Sequence, residues 1–256
     1  MKKDSSKTVG NNIQTEPAPL SFWHRTFSSL RYRNYRLVWL GSCTEHMGLQ
    51  IETIAIAWLM KELTESPYYL GLLAVAKVVP LIPFALVGGA VTDRFDRRKL
   101  LIGCLVGEAV ISVLLCVLAH SGAIVPWHLL VAAALGSMLT GFNHPARAAI
   151  IPNLVPKNEW MNAIALDTIS VRTAFIVVAP ISGYLIAWYG TSILFGTRAI
   201  GMAVAVWWLL MVKIPATVIS AKKTGIFVNL GRGLKFAFAN SLIIALDLYL
   251  LYVSFK

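Results

Sequence analysis

Six stretches of this chain are apolar for about the length that a helix needs to cross a bilayer core, roughly 20 residues at 1.5 Å each. They cover residues 35–60, 69–91, 100–119, 127–142, 163–188 and 193–212. The fourth is the shortest, and its edges are the least sharply marked. Such runs leave few folds open. In lipid every backbone N–H and C=O must find its partner within the structure, and a helix achieves this by itself. The sequence therefore predicts an all-α, polytopic membrane protein. Gly, Ala and Pro recur inside the runs, as in KVVPLIPFALVGGAV. They suit close helix approach and local bends in a membrane bundle better than a soluble helix.

Composition supports the same reading. The chain is 57% hydrophobic and only 14% charged, against about 25% charge in typical soluble domains. Its net charge of +11 raises the question of nucleic acid. The basic residues answer it: they lie between apolar runs and form no single patch, so no nucleic-acid partner is expected. Cys43, Cys104 and Cys116 all sit inside apolar segments. They have no paired spacing and form no His–Asp–Cys cluster suited to a metal, so no metal and no cofactor is expected.

Lysine and arginine give the orientation. Residues 1–34 form a polar, basic tail without the apolar core of a cleaved signal. Its end, SFWHRTFSSLRYRNYR, has the amphipathic pattern of a segment lying on the membrane surface. With this tail inside the cell, the same side receives Lys2, Lys3, Lys7, Arg25, Arg31, Arg33 and Arg36. It also receives Arg94, Arg97, Arg98 and Lys99, then Arg147 and Lys157, then Lys213, Lys222, Lys223, Arg232 and Lys235. The opposite loops hold only Lys61. The bias predicts a cytoplasmic N-terminus. Residues 213–242 read as a cytoplasmic linker. Residues 243–256 read as the start of a seventh span cut short, or as a short end lying on the membrane, because about 13 apolar residues cannot cross a core of roughly 30 Å.

The sharpest local pattern follows the second run: GGAVTDRFDRRKL. Two glycines permit close helix approach, and Asp93 sits among Arg94, Arg97, Arg98 and Lys99, where charge-assisted hydrogen bonds can hold a turn in one shape. Gly89-x-x-x-Asp93-Arg94-x-Asp96-Arg97-Arg98-Lys99 resembles the loop between spans two and three of the major facilitator superfamily, with Asp96 in place of the usual glycine. DRFDRR, YRNYRLVWLGS, WLMKELTESPYYLGLLAVAKVVPLIPFALVGG and FNHPARAAIIPNLVPKNEWMNAIAL are similar to its bacterial exporter branch, which includes the enterobactin exporter. The tail piece NLGRGLKFAFANSLI resembles the stretch before the seventh span, so the likeness runs over residues 31–250. It implies the N-terminal six-span bundle of a twelve-span transporter. It implies further that Gly89, Asp93, Arg94, Arg97 and Arg98 belong to a latch between the two halves, closed when the protein faces outward. Exporters of this kind carry a Gly-Pro pattern in span five, which here reads Ala179-Pro180-Ile181-Ser182-Gly183. Pro180 predicts a kink, because it removes a hydrogen bond and crowds the preceding turn.

Charges inside the runs are costly and usually meet a partner or a wet cavity. They are Glu45, Glu52, Lys77, Glu108, Arg172 and Arg198. Glu52 and Lys77 each lie about eight residues from the outer end of their helices, which predicts an ion pair. Glu45 lies one heptad from Glu52 on a similar face, and Arg172 enters its span about as deeply, which predicts a second pair. The resemblance implies that spans one, two, four and five line the cavity while three and six are peripheral. It thus favours Glu45, Glu52, Lys77 and Arg172 for substrate or proton work over Glu108 and Arg198. The alternative is that these pairs only hold the bundle together. His46 is a proton carrier or a packed, hydrogen-bonded histidine, and Asp167 favours a helix N-terminus.

The function these features imply is secondary transport by alternating access, with proton-driven efflux of a small organic molecule from the bacterial inner membrane. The partners are that molecule, protons, the lipid bilayer, and a missing C-terminal half or another copy of the chain. A non-transporting half-protein is the alternative. Nothing supports an ATPase, since no G-x-x-x-x-G-K-[ST] run is found to cradle phosphate. A membrane enzyme is disfavoured because no acyltransferase box, Gly-Asp protease motif or Ser/His arrangement is found.

Overall fold

The computed structural model describes residues 27–92 and 95–212. The tail before Phe27, Asp93 and Arg94, the linker and the expected seventh span lie outside the described residues. Six long helices account for nearly all of what is described: α1 (Arg33–Thr64), α2 (Pro67–Thr92), α3 (Arg97–His120), α4 (Pro126–Ile150), α5 (Trp160–Tyr189) and α6 (Ser192–Met211). A 3-10 turn, Ser28–Arg31, leads into α1, and two more, Ile151–Asn153 and Lys157–Glu159, join α4 to α5. No strand occurs among the described residues. The fold is an all-α six-helix bundle.

Local chemistry sets the helix ends. Glu65 takes a left-handed conformation, φ 50°, and closes α1 through its N–H to the Lys61 carbonyl at 2.9 Å. Pro67 then opens α2 after a two-residue turn; a missing N–H costs nothing in a first turn. Gly190, at φ 77°, ends α5 in a conformation that side chains rarely adopt. Asp96 caps α3, its carboxylate accepting from the N–H groups of Arg98 at 2.9 Å and Lys99 at 3.3 Å. The aspartate that departs from the motif's glycine is thus a helix cap.

The fourth helix departs most from expectation. It continues to Ile150 and spans 25 residues, not stopping near Phe142. Asn143, His144 and Arg147 look like a loop by hydropathy, yet Asn143 and Arg147 are buried inside the bundle. Their polarity marks an inward face, and Arg147 is not a loop charge.

α2 lies closest to α4, with Gly88 facing Gly141. A Cβ added at Gly88 would sit 2.6 Å from the Gly141 carbonyl oxygen, and one at Gly141 would sit 2.9 Å from the Ala85 nitrogen. Two small residues here let the backbones touch. Phe84 and Phe142 meet edge to face beside them at 5.5 Å. α1 packs mainly on α5 and α6, and α3 on α4 and α6.

Two apolar clusters fill the interior. One joins Tyr35, Leu101, Leu105, Ile150, Leu166, Met202 and Leu209; the other joins Ile56, Met60, Leu115, Leu129 and Phe195. Between them along the helices lies a polar layer that includes Glu52, Glu108, Ser112 and Arg198, all buried. The outside of α3 and α6 is apolar: Val106, Val110, Val113, Leu114 and Val117 of α3, and Ile200, Trp207 and Leu210 of α6, are exposed. Such a surface suits lipid. α2, α3, α6 and the Lys157–Tyr189 stretch are long and apolar enough to cross a membrane. α1 and α4 are as long as these but carry buried polar side chains, among them His46 and Glu52 on α1 and Asn143 and Arg147 on α4.

Candidate functional site

The polar layer is built on α1, where Glu45 and Glu52 lie about two turns apart on one face. Gly48 stands between them. A Cβ there would lie 2.6 Å from the Met202 methyl and 3.4 Å from Arg198 Cγ, so the glycine gives α6 room to bring Arg198 against α1.

Arg198 is 1% exposed and holds two carboxylates at once. Its Nη1 forms an ion pair with Glu52, and its Nη2 donates to Glu108 Oε2 at 3.1 Å. The expected pair of Glu52 with Lys77 is not what forms. α1 and α2 touch only slightly, whereas α6 lies along α1, so the guanidinium reaches Glu52 first. Lys77 is half-buried beside this group and donates to Thr53 Oγ1 at 3.1 Å. Glu52, Glu108, Arg198 and Lys77 together are electrically neutral. An isolated ion at mid-membrane costs on the order of 2.5–3.5 kcal/mol even on insertion scales, so neutrality matters.

Glu45 likewise takes a partner other than the expected Arg172. It forms an ion pair with Arg147 of α4, whose Nη2 also donates to Asn143 Oδ1 at 3.3 Å. Asn143 sits one turn before Arg147 and braces it. Arg172 is exposed on α5, and no hydrogen bond or ion pair holds it among the described residues. His46 and Ser170 meet at 2.9 Å between Nδ1 and Oγ, and the Ser170 hydroxyl donates its one proton to the Asp167 carbonyl at 2.7 Å. His46 must therefore donate from Nδ1, which suits a packing histidine. Asp167 is half-exposed and lines a cavity of about 310 Å³ between α4 and α5, with His144, Arg147, Trp160, Ile164 and Thr168.

Of the signature loop, Asp93 and Arg94 lie outside the described residues. Arg97 Nη1 donates to the Ala149 carbonyl at 2.7 Å. Arg98 donates from Nε to Leu209 at 3.1 Å and from Nη2 to Leu210 at 2.6 Å. These are last-turn carbonyls of α4 and α6, groups that lack partners within their own helices and attract cations. The two arginines thus clamp three helix ends together. Gly88, not Gly89, makes the close helix contact; a Cβ at Gly89 would meet nothing within 4 Å. Pro180 lies on the exposed face of α5, which runs on to Tyr189. At the end of the bundle that carries Arg97 and Arg98, Tyr35 donates to the Ala163 carbonyl at 2.9 Å and Trp39 to Leu166 at 3.1 Å, tying α1 to α5.

Arg147 and Arg198 are the functional candidates that sequence reasoning passed over. Arg147 was hidden by its loop-like neighbours. Arg198 was hidden by the expectation that spans three and six are peripheral. The available signal was charge balance, since two carboxylates at mid-depth need more than Lys77. No group of three or more metal-ligating side chains occurs among the described residues.

A protein-family model described as Transmembrane secretion effector matches residues 24–248. Among curated proteins, the Staphyloferrin A transporter of Staphylococcus aureus is 26% identical over 161 residues, covering 62% of this chain and 41% of its own length. Macrolide efflux protein A of Streptococcus pyogenes is 24% identical over 192 residues, 72% of this chain and 47% of its own length. The enterobactin exporter EntS of Shigella boydii is 26% identical over 171 residues, 65% of this chain and 40% of its own length. The chain thus spans less than half the length of these relatives.

Proposed function

Because the chain belongs to the Transmembrane secretion effector family of the major facilitator superfamily, we propose that it works in proton-driven efflux of a small organic molecule by alternating access. The family stands among membrane transporters and not among enzymes. The observation that carries the reading is the layer of ionised side chains at mid-membrane. Its inner members are locked in pairs, while Lys77 lies half-buried at its edge and Arg172 is exposed on α5 without an ion pair among the described residues. A purely structural bundle has no use for an unpaired arginine in the middle of an apolar helix.

In this reading Glu45, Glu52, Lys77 and Arg172 serve the cavity and its proton coupling. Gly89, Asp93, Arg94, Arg97 and Arg98 form the latch, and Pro180 gives α5 a point of bending. The N-terminus is cytoplasmic, the membrane is the bacterial inner one, and a C-terminal half or another copy completes the cavity. The match to the enterobactin exporter supports the exporter branch, as do the names of the other relatives.

Everted vesicles from cells expressing the gene test the function. Energised vesicles accumulate enterobactin, staphyloferrin A or a macrolide above control vesicles, and a protonophore abolishes the difference. Equal accumulation of all three in both preparations contradicts the reading. Asp93→Asn keeps the protein in the membrane at normal levels but lowers that transport. Unchanged transport removes the latch from the account.

A further inference from the structure

α1 has 32 residues, which makes it about 48 Å long, and it overruns a bilayer core of roughly 30 Å. Its two ends therefore reach into headgroup layers, and they differ in charge. The last turn and cap carry Lys61, Glu62 and Glu65, whereas Arg31, Arg33 and Arg36 gather at the start. All three arginines are exposed, and no hydrogen bond or ion pair holds their guanidinium groups among the described residues. Arg33 and Arg36 are separated by about 4.5 Å along the helix axis, within the depth of one headgroup layer of about 5–7 Å.

Glu159, the carboxylate that lies against this segment, is committed elsewhere. Ser28 donates to its Oε2 at 2.5 Å, and the fully buried Ser29 does so at 3.2 Å. Asn162 Nδ2 donates in turn to the Ser28 hydroxyl at 2.9 Å. Leu30 packs on the apolar cluster that holds Tyr35 and Val212. Neutral hydroxyls thus clamp the Ser28–Arg31 turn to the start of α5, and the neighbouring arginines keep their charge on the surface. Lys157, two residues before Glu159, adds a further exposed cation, and Tyr32 between the arginines is 37% exposed.

We infer that this end of α1 is a docking site for anionic phospholipid, with lipid phosphates held by Arg31, Arg33 and Arg36. The inference stands apart from the transport reading and requires only that the bundle sits in a bilayer. A guanidinium fork matches a phosphate through two parallel hydrogen bonds. Each basic side chain at an anionic membrane surface strengthens binding about fivefold. Tyr32 places an amphipathic ring at headgroup level. The Glu159 clamp holds the arginines in place beforehand, so less order is lost when lipid binds.

Native mass spectrometry of the full chain in a neutral detergent reads lipid retention, with phosphatidylglycerol and phosphatidylcholine of the same acyl chains as probes. Phosphatidylglycerol is retained at least about tenfold better, and salt erodes the difference. Arg31→Gln, Arg33→Gln and Arg36→Gln together remove most of that preference, while Lys61→Gln at the other end leaves it intact. Exposed and unpartnered sites tolerate such changes, so melting is unaltered. Glu159 separates a built site from diffuse charge. Glu159→Ala raises the net positive charge, so diffuse attraction alone tightens phosphatidylglycerol binding. Loss of the clamp weakens it several-fold, and Glu159→Gln, which still accepts from the serines, retains it. Should the triple variant not fold, the Glu159 pair decides. Equal retention of the two lipids overturns the inference, as does unchanged preference in the triple variant or tighter binding in Glu159→Ala. Displacement by inorganic phosphate beyond that by sodium chloride of equal ionic strength assigns the site to free phosphate and overturns the lipid.

Discussion

Arg198 is the residue on which the interior depends. Replacing it with Met strands Glu52 and Glu108 together in a low-dielectric layer, a loss of about 3–5 kcal/mol for a broken buried pair. Thermal unfolding in detergent should show Arg198→Met strongly destabilised, and the variant carrying Glu52→Gln and Glu108→Gln as well should recover much of the loss. A double-mutant cycle distinguishes the partners of Glu52. Coupling of Glu52 with Arg198 should exceed coupling of Glu52 with Lys77, because only the first pair is in contact. Larger coupling with Lys77 contradicts the geometry. The sequence made the charged residues legible, since any ion in an apolar run stands out. It could not make the partners legible. Depth along a helix is readable from residue number, but which helix lies alongside is not, and Gly48 reveals its purpose only once Met202 and Arg198 lie against it.

At the scale of the helices, adjacent glycines do different work. Gly88→Val drives a side chain into the backbone of α4, which cannot give way, so a loss of roughly 1–3 kcal/mol or failed assembly is expected. Gly89→Ala enters open space and leaves stability unchanged. Melting temperatures of the two variants, measured side by side, check this; equal losses contradict the close approach of α2 and α4. Should Gly89→Ala nevertheless lower transport, its role lies in the latch and not in the fold. The helices themselves were legible from apolar length because lipid imposes that length. α4 was the exception, since a buried Asn143 and Arg147 look the same to a hydropathy scale as a loop. Polar residues that satisfy one another inside a bundle lie beyond what a single stretch of sequence records.

The described bundle is an apolar shell around a polar layer that runs from Glu108 deep inside, through Arg198 and Glu52, to Lys77 at its edge. Loop charges predict its orientation. Reporter fusions after Val212 should give a cytoplasmic signal, and fusions at Ser66 or Ser121 an external one. An external signal after Val212 overturns the orientation. The central claim is that the exposed face of α5 around Arg172 meets water at mid-membrane and not lipid. Thiol accessibility tests it most directly. With Cys43, Cys104 and Cys116 replaced, a cysteine at Arg172 and another at Ile200, which is 69% exposed on the outside of α6, are treated in membranes with a charged, membrane-impermeant maleimide. The account predicts rapid labelling at position 172 and almost none at position 200; a cysteine at 172 as unreactive as that at 200 would contradict it.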